Sequence, residues 1–240
     1  VNPVLIKQKA GLGDILFTQK IGHIFKEKGH DVIWPVTRAY DHISEYLPAM
    51  SFVCVDENFP FKQEYLNTGP GQIRDYDSCI VVGLDGTSIG SHGVMRSKYA
   101  LTNTNYSDWI EYAKIVRNLK REDHLLNLLD LDKDKKFIFV NRQFGTPPND
   151  CAVNNFFKIN SNLPIIELQY LENIRVFDWM GVLTLATEIH TVDTALSYIL
   201  HIMGLKNVFL YPRWKEGDTW LDLSYCNDYY DTEWKICSNV

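Results

Sequence analysis

The chain is short of positive charge: 24 Lys and Arg stand against 30 Asp and Glu, a formal net charge of −6. A protein that grips nucleic acid along its backbone needs the opposite surplus to neutralise phosphates, so that class is excluded as a general function; a local basic pocket stays open. Paired cysteines are missing too. The five present (Cys54, Cys79, Cys151, Cys226, Cys237) are odd in number, scattered and without C-x-x-C spacing. They signal neither a disulfide framework nor a zinc site, and fit a reducing compartment. No apolar run approaches the roughly 18 residues of a membrane span, and the first residues lack the apolar stretch of a secretory leader. A cytoplasmic location is therefore expected, and the glycosylation sequon Asn105-Tyr106-Ser107 is read as chance. Low-complexity tracts and short repeats are absent as well.

What is present is ordinary for a soluble globular protein, with 45% hydrophobic and 22% charged residues in 240, enough for one large domain or two small ones. The informative stretch is residues 4–29. An apolar run at Val4 to Ile6 reaches a turn bracketed by Gly11 and Gly13, and a helical pattern through Ile15, Leu16, Ile21 and Phe25 closes at Gly29. Strand, glycine turn and helix follow in that order. Glycines there let the backbone approach a ligand, and the N–H groups of the helix's first turn favour an anionic group, which makes Gly13 a phosphate candidate. Asp14 sits at this junction. Its spacing serves equally a helix cap and a catalytic carboxylate, and the two roles are compatible.

Further strands are expected at 31–37, 51–56 and 78–82, joined by helical or long connections, which predicts a parallel sheet. A short helix is expected at His42 to Leu47, and residues 56–77 read as irregular. The loop after the fourth strand carries Asp85, Thr87 and His92, candidates because ligands bind at the carboxyl ends of parallel strands; all three also suit a plain turn. One long helix is predicted from Ser107 to about Leu129. The charged tract at 130–136 then reads as a linker, placing the domain boundary at 132/133. A second series follows: strands at 137–141, 163–168 and 174–177, a helix capped by Asp178, a strand at 188–192, a helix from Asp193 to Gly204 and a strand at 208–211. Strand and helix alternate twice over, which predicts an α/β protein of two similar Rossmann-like halves, 1–132 and 133–240, with a ligand cleft between them.

Gly11-Leu-Gly-Asp-Ile-Leu-Phe-Thr-Gln resembles the G-x-G-D-x-L-x-T segment of the heptosyltransferase-like (family 9) glycosyltransferases, which have the GT-B fold. Ala186-Thr-Glu-Ile-His-Thr-Val-Asp-Thr-Ala-Leu-Ser-Tyr-Ile-Leu-His-Ile-Met-Gly is similar to the family's later segment, A-D followed by D-[ST]-[GA]. Together these cover 28 of the 240 residues. The family's histidine four residues on is absent, with Ser197 and Tyr198 in its neighbourhood, and the chain is short for the fold. The resemblance implies a compact, divergent, inverting, metal-independent glycosyltransferase, its first half for the acceptor and its second for a nucleotide-sugar donor.

On that resemblance Asp14 matches the general base. The N–H groups of Thr194 and Ala195, with the Thr194 hydroxyl, are placed to hold the diphosphate, and Asp193 to cap the helix. Arg142 is expected on the phosphates, with Arg213 and Lys215 as weaker candidates; a bidentate guanidinium suits that task. Glu167 is a candidate for a ribose hydroxyl pair, the backbone at Ile189 and His190 for the base, and Asp85 and His92 for the acceptor. No cofactor and no metal are implied. Three other classes stay open. Asp75-Tyr-Asp77 and Asp132-Lys-Asp134 match the D-x-D of metal-dependent GT-A enzymes. Gly11-x-Gly13 begins a dinucleotide fingerprint, but Leu16 replaces its third glycine. The chain's size also suits a non-catalytic nucleotide- or sugar-binding module, and its 13% aromatic content suits a sugar cleft or an ordinary core.

Overall fold

The computed structural model describes residues 2–57, 59–87, 89, 93–144, 152–153, 157–211, 229–230 and 233–237. Two compact units divide the chain, Val1–Val116 and Arg117–Val240. In the first, β1 (Val4–Lys7) leads to α1 (Leu12–Phe17), α2 (Gln19–Glu27), β2 (Val32–Val36), a 3-10 turn at Arg38–Glu45 and β3 (Ser51–Cys54). A second 3-10 turn (Gln63–Asn67), β4 (Ile73–Asp75), β5 (Ile80–Gly83), α3 (Gly93–Leu101) and a third 3-10 turn (Trp109–Glu111) complete it. The sheet order is β3-β2-β1-β5-β4. β1 is central, parallel to both neighbours and buried at all four residues, as an unbroken aliphatic run requires of a strand covered on both faces.

Three local expectations change here. β4 pairs antiparallel with β5, so a hairpin closes the sheet where the sequence predicts irregular chain. Its three residues are exposed and carry no alternation that would mark a strand. The single helix expected after Gly13 breaks at Thr18, whose N–H and hydroxyl both bond the Asp14 carbonyl, at 3.0 and 2.6 Å; a threonine hydroxyl competes here with the helical ladder. The long helix predicted over 107–129 is instead a 3-10 turn, an irregular link and α4 (Leu119–Leu128). Trp109 is held in unit 1, its ring 5.3 Å from that of Phe17. Asn118 starts α4 anew, its side chain accepting from the Arg121 N–H.

Unit 2 continues from α4 with β6 (Ile138–Asn141), β7 (Gln143–Phe144), β8 (Ala152–Val153), β9 (Ile165–Glu167), a 3-10 turn (Val176–Trp179) and α5 (Met180–Leu185). β10 (Glu188–Val192), α6 (Ala195–Ile202), β11 (Val208–Tyr211) and β12 (Lys235–Ile236) follow. Its main sheet is parallel throughout, in the order β12-β11-β10-β6-β9, with β7 and β8 as a separate antiparallel pair. The strand expected at 174–177 is replaced by the 3-10 turn. Among the described residues no helix is long and apolar enough to cross a membrane.

The units part between Val116 and Arg117, upstream of the charged tract, because α4 packs on α5 and the 3-10 turn before it. Two buried carboxylates lie within unit 2 at and around α4. Asp178 takes the Arg121 guanidinium at 2.8–3.1 Å, and Glu122 takes Arg117 in a two-pronged contact. Asp178 does not cap its helix as expected. It stands in the first turn and accepts the Arg175 N–H at 2.7 Å, the return arm of a capping box. Because Asp178 is fully buried while Arg121 is one-third exposed, removing the arginine leaves a carboxylate where water cannot replace it. Arg121→Leu is therefore expected to destabilise unit 2 by about 3–5 kcal/mol, read as an earlier urea midpoint at unchanged slope.

Candidate active site

The site in unit 1 is built on the end of β1. Gly11 has φ of 82°, and a β-carbon there would lie 2.5 Å from Asp14 Oδ2. Only glycine lets the turn and the carboxylate coexist. Asp14, in the first turn of α1, is paired through Oδ1 with the ammonium of Lys98 on α3. The Lys98 side chain is 0% exposed and that of Asp14 is 30% exposed. Lys98 also donates to Gln8 Oε1. Gln8 is held in turn by its own bond to the Ala10 carbonyl (2.6 Å), and its carbonyl accepts from the Trp34 indole (3.0 Å).

From the neighbouring strand end, Asp85 Oδ1 accepts the Lys9 N–H at 3.0 Å, and Oδ2 lies 3.7 Å from the buried Lys7 ammonium. Lys7 donates to the Thr68 carbonyl at 2.7 Å. Burial pushes the Asp85 carboxyl up, opposed by the Lys9 N–H and by the positive charge of Lys7, Lys9 and Lys98. Two carboxylates and two buried lysines thus meet at the carboxyl ends of β1 and β5, the edge where open parallel sheets take ligands.

Other predicted positions behave differently. Gly13 is buried in the first turn of α1. Burial raises the pKa of the Tyr40 hydroxyl, opposed by the N–H groups of Gly11 and Leu12. Thr87 ties a loop: it donates to the Gly83 carbonyl (2.8 Å) and accepts from the Gly71 N–H (2.9 Å). His92, Arg213 and Lys215 lie outside the described residues.

In unit 2 the N-cap of α6 is Thr194 rather than Asp193. Its oxygen accepts the Leu196 N–H at 3.2 Å, and its own N–H donates to Ser197 at 3.2 Å. The Thr194 N–H expected on a diphosphate is thus engaged. The Thr194 hydroxyl hydrogen and the Ala195 N–H are the donors this helix start presents. Asn141, at the end of β6, donates to Thr191 (3.0 Å) and Thr194 (3.4 Å) and receives the Gln143 N–H (3.0 Å), so it ties β6 to the helix start. Asp193 is buried and accepts from the Tyr230 hydroxyl at 3.2 Å.

Arg142 and Glu167, from the ends of adjacent strands, are brought together as an ion pair, and the guanidinium lies over the Phe157 ring at 4.8 Å. Ile189 and His190 sit in β10, which is laddered on both edges, so their main-chain groups are engaged in the sheet rather than turned to a base. The His190 ring stacks on Phe209 at 4.4 Å. Its network assigns Nε2–H to Glu188 and Nδ1 as acceptor from Tyr211. Burial lowers its pKa despite Glu188, which favours that neutral form. Among the described residues no three His, Cys, Asp or Glu side chains gather as a metal ion requires. Of the D-x-D pairs, Asp132 serves a turn, accepting the N–H groups of Asp134 and Lys135 at 3.0 and 3.1 Å.

No protein-family model matches the chain, and no curated protein matches it in sequence. Solved structures do match. A glycosyl transferase of family 9 from Veillonella parvula aligns with a TM-score of 0.53 at 9% identity, over 87% of this chain and 80% of that one. TibC, a bacterial iron-containing dodecameric glycosyltransferase from enterotoxigenic E. coli, aligns at 0.54 and 13% identity over all of this chain and 63% of its own. A heptosyltransferase of E. coli with ADP aligns with a TM-score of 0.46 at 11% identity, over 91% of this chain and 89% of that one. The chain has the GT-B fold of the first two. Within that fold, Lys98, Gln8, Tyr40 and Asn141 are the residues the sequence does not disclose. A lysine between Ser97 and Tyr99 reads as a surface residue until the fold buries it.

The unequal exposure of Asp14 and Lys98 gives an asymmetric expectation. Removing the carboxylate strands a buried ammonium, whereas removing the lysine leaves a carboxylate that water reaches. Asp14→Leu should cost about 3–5 kcal/mol by urea denaturation, Lys98→Met clearly less, and the double variant should recover much of the single loss.

Proposed function

We propose that the protein is a glycosyltransferase that moves a sugar from a nucleotide-sugar donor to a hydroxyl of a glycan or other acceptor, with inversion and without a metal ion. The observation that carries this is Asp14: a carboxylate fixed at the carboxyl edge of the unit 1 sheet by a buried lysine, in a chain with the fold of glycosyltransferases. The acceptor hydroxyl forms its bond to the anomeric carbon as the bond to the diphosphate breaks. Its proton passes to Asp14 late in that step, because a carboxylate is a weak base toward an alcohol.

The leaving diphosphate needs donors in unit 2. Ala195 N–H and the Thr194 hydroxyl sit at the start of α6, with Asn141 fixing Thr194, and helix starts favour anions. Arg142, held by Glu167, is assigned to the phosphates; Glu167 can then turn to the ribose. Asp85 is assigned to the acceptor. A cytoplasmic site of action accords with the cysteine usage.

The test begins with a thermal-shift screen of nucleoside diphosphates and their sugars, since a ligand of the native state raises the melting temperature. Transfer is then measured with the stabilising donor. Asp14→Asn is expected to lower kcat at least about 100-fold with donor affinity unchanged, and the product should carry the anomeric configuration opposite to the donor's, with or without a chelator. No stabilising nucleotide sugar, or an Asp14→Asn variant at full rate, sinks the assignment; donor binding without turnover marks a binding module instead.

A further inference from the structure

We infer that Lys98 is the positioning residue for the Asp14 carboxylate, clamping Oδ1 so that Oδ2 is the oxygen that receives the acceptor's proton. The inference rests on Asp14 acting as the base, and adds how one of its two oxygens is chosen. Lys98 is fully buried, so it cannot itself touch a substrate. Its ammonium has two named oxygens to satisfy it, Asp14 Oδ1 and Gln8 Oε1. Gln8 is fixed from β1 through the Ala10 carbonyl and the Trp34 indole, so the ammonium is anchored to the central strand before it reaches the carboxylate. On the other side, Oδ2 lies over Gly11 at a spacing that a β-carbon would obstruct.

The carboxylate is thus held between a strand-anchored cation and a glycine. A charge-assisted bond of this kind is stronger than a neutral one and fixes direction as well as charge. Such positioning matters for proton transfer, where a displacement of about 1 Å costs on the order of 100-fold in rate. The transferred proton moves from the acceptor oxygen to Asp14 Oδ2 as the glycosidic bond forms and the diphosphate departs.

The experiment compares Lys98→Met, Lys98→Gln and Asp14→Asn in the full chain, with the donor found by the screen above. Lys98→Met is expected to lower kcat about 10- to 100-fold, with the donor KM within about twofold of wild type. Lys98→Gln, which restores a hydrogen-bond donor without the charge, should recover part of that loss. A merely structural lysine would change stability and leave the kcat of folded protein alone. A crystal structure of Lys98→Met or Lys98→Gln supplies a readout independent of turnover, with the Asp14 carboxylate expected to turn from its wild-type position in Lys98→Met and keep it in Lys98→Gln. Folded Lys98→Met with wild-type kcat, or with an unmoved carboxylate, overturns the clamp. Should Asp14→Asn retain full turnover, it is the base assignment that fails; should Asp14→Asn be inactive while Lys98→Met is unimpaired, only the clamp fails.

Discussion

An ammonium group with no contact to water must be answered by oxygens, and in unit 1 that requirement organises the local chain. Lys98 is brought in by α3, Gln8 by the end of β1, and Asp14 by the first turn of α1. Two consecutive elements and a third, α3, far along the chain are therefore constrained at one point. The turn between β1 and α1 has to take the left-handed conformation of Gly11 to leave room for the carboxylate. A well-packed apolar pair at the same place would be at least as stable. That a charged pair is found there, partly open to solvent on the acidic side, fits a carboxylate kept for chemistry.

Unit 2 meets its buried charges differently. Asp178 and Glu122 are the buried partners there, answered by Arg121 of α4 and by Arg117 just before it; the first pair fastens α4 to the 3-10 turn before α5, and the second fixes the start of α4. A guanidinium offers two parallel donors to one carboxylate, which suits a fixed seam. The single ammonium of Lys98 leaves one oxygen of Asp14 unclaimed by it. Similar ion pairs thus do different work according to how many of the carboxylate's oxygens are occupied.

Period and punctuation in the sequence carried β1, β2, β3, β5, β6, β9, β10 and β11 and the helix after β10, because short aliphatic runs bounded by glycine or polar turns have little alternative to a strand in a sheet covered on both faces. The strand-turn-helix around Gly11 was legible for the same reason. Elements decided by tertiary contact were not. β4 is an exposed three-residue edge with no pattern of its own, and the apolar stripe over 107–129 is continuous in sequence although Trp109 packs in one unit and Leu125 in the other. Caps were misassigned by one or three residues: Thr194 and Asp193 both suit an N-cap, and composition alone does not choose between them. At the site, Asp14 could be picked out by motif. Lys98 could not, since no local signal distinguishes a buried lysine from a solvated one.

The two remaining motif-based alternatives weaken on physical grounds. A dinucleotide fold holds its pyrophosphate on the N–H groups of the first helix, yet here the Asp14 carboxylate stands in that turn, where it would repel phosphate. A D-x-D metal site needs carboxylates whose oxygens are turned toward a common ion. Asp132 instead directs Oδ1 at two N–H groups of its own turn. In unit 2 the start of α6 has the opposite character, a neutral threonine cap whose hydroxyl is fixed by Asn141. An anion therefore has a physical reason to prefer the start of the second unit's helix and to avoid that of the first unit's.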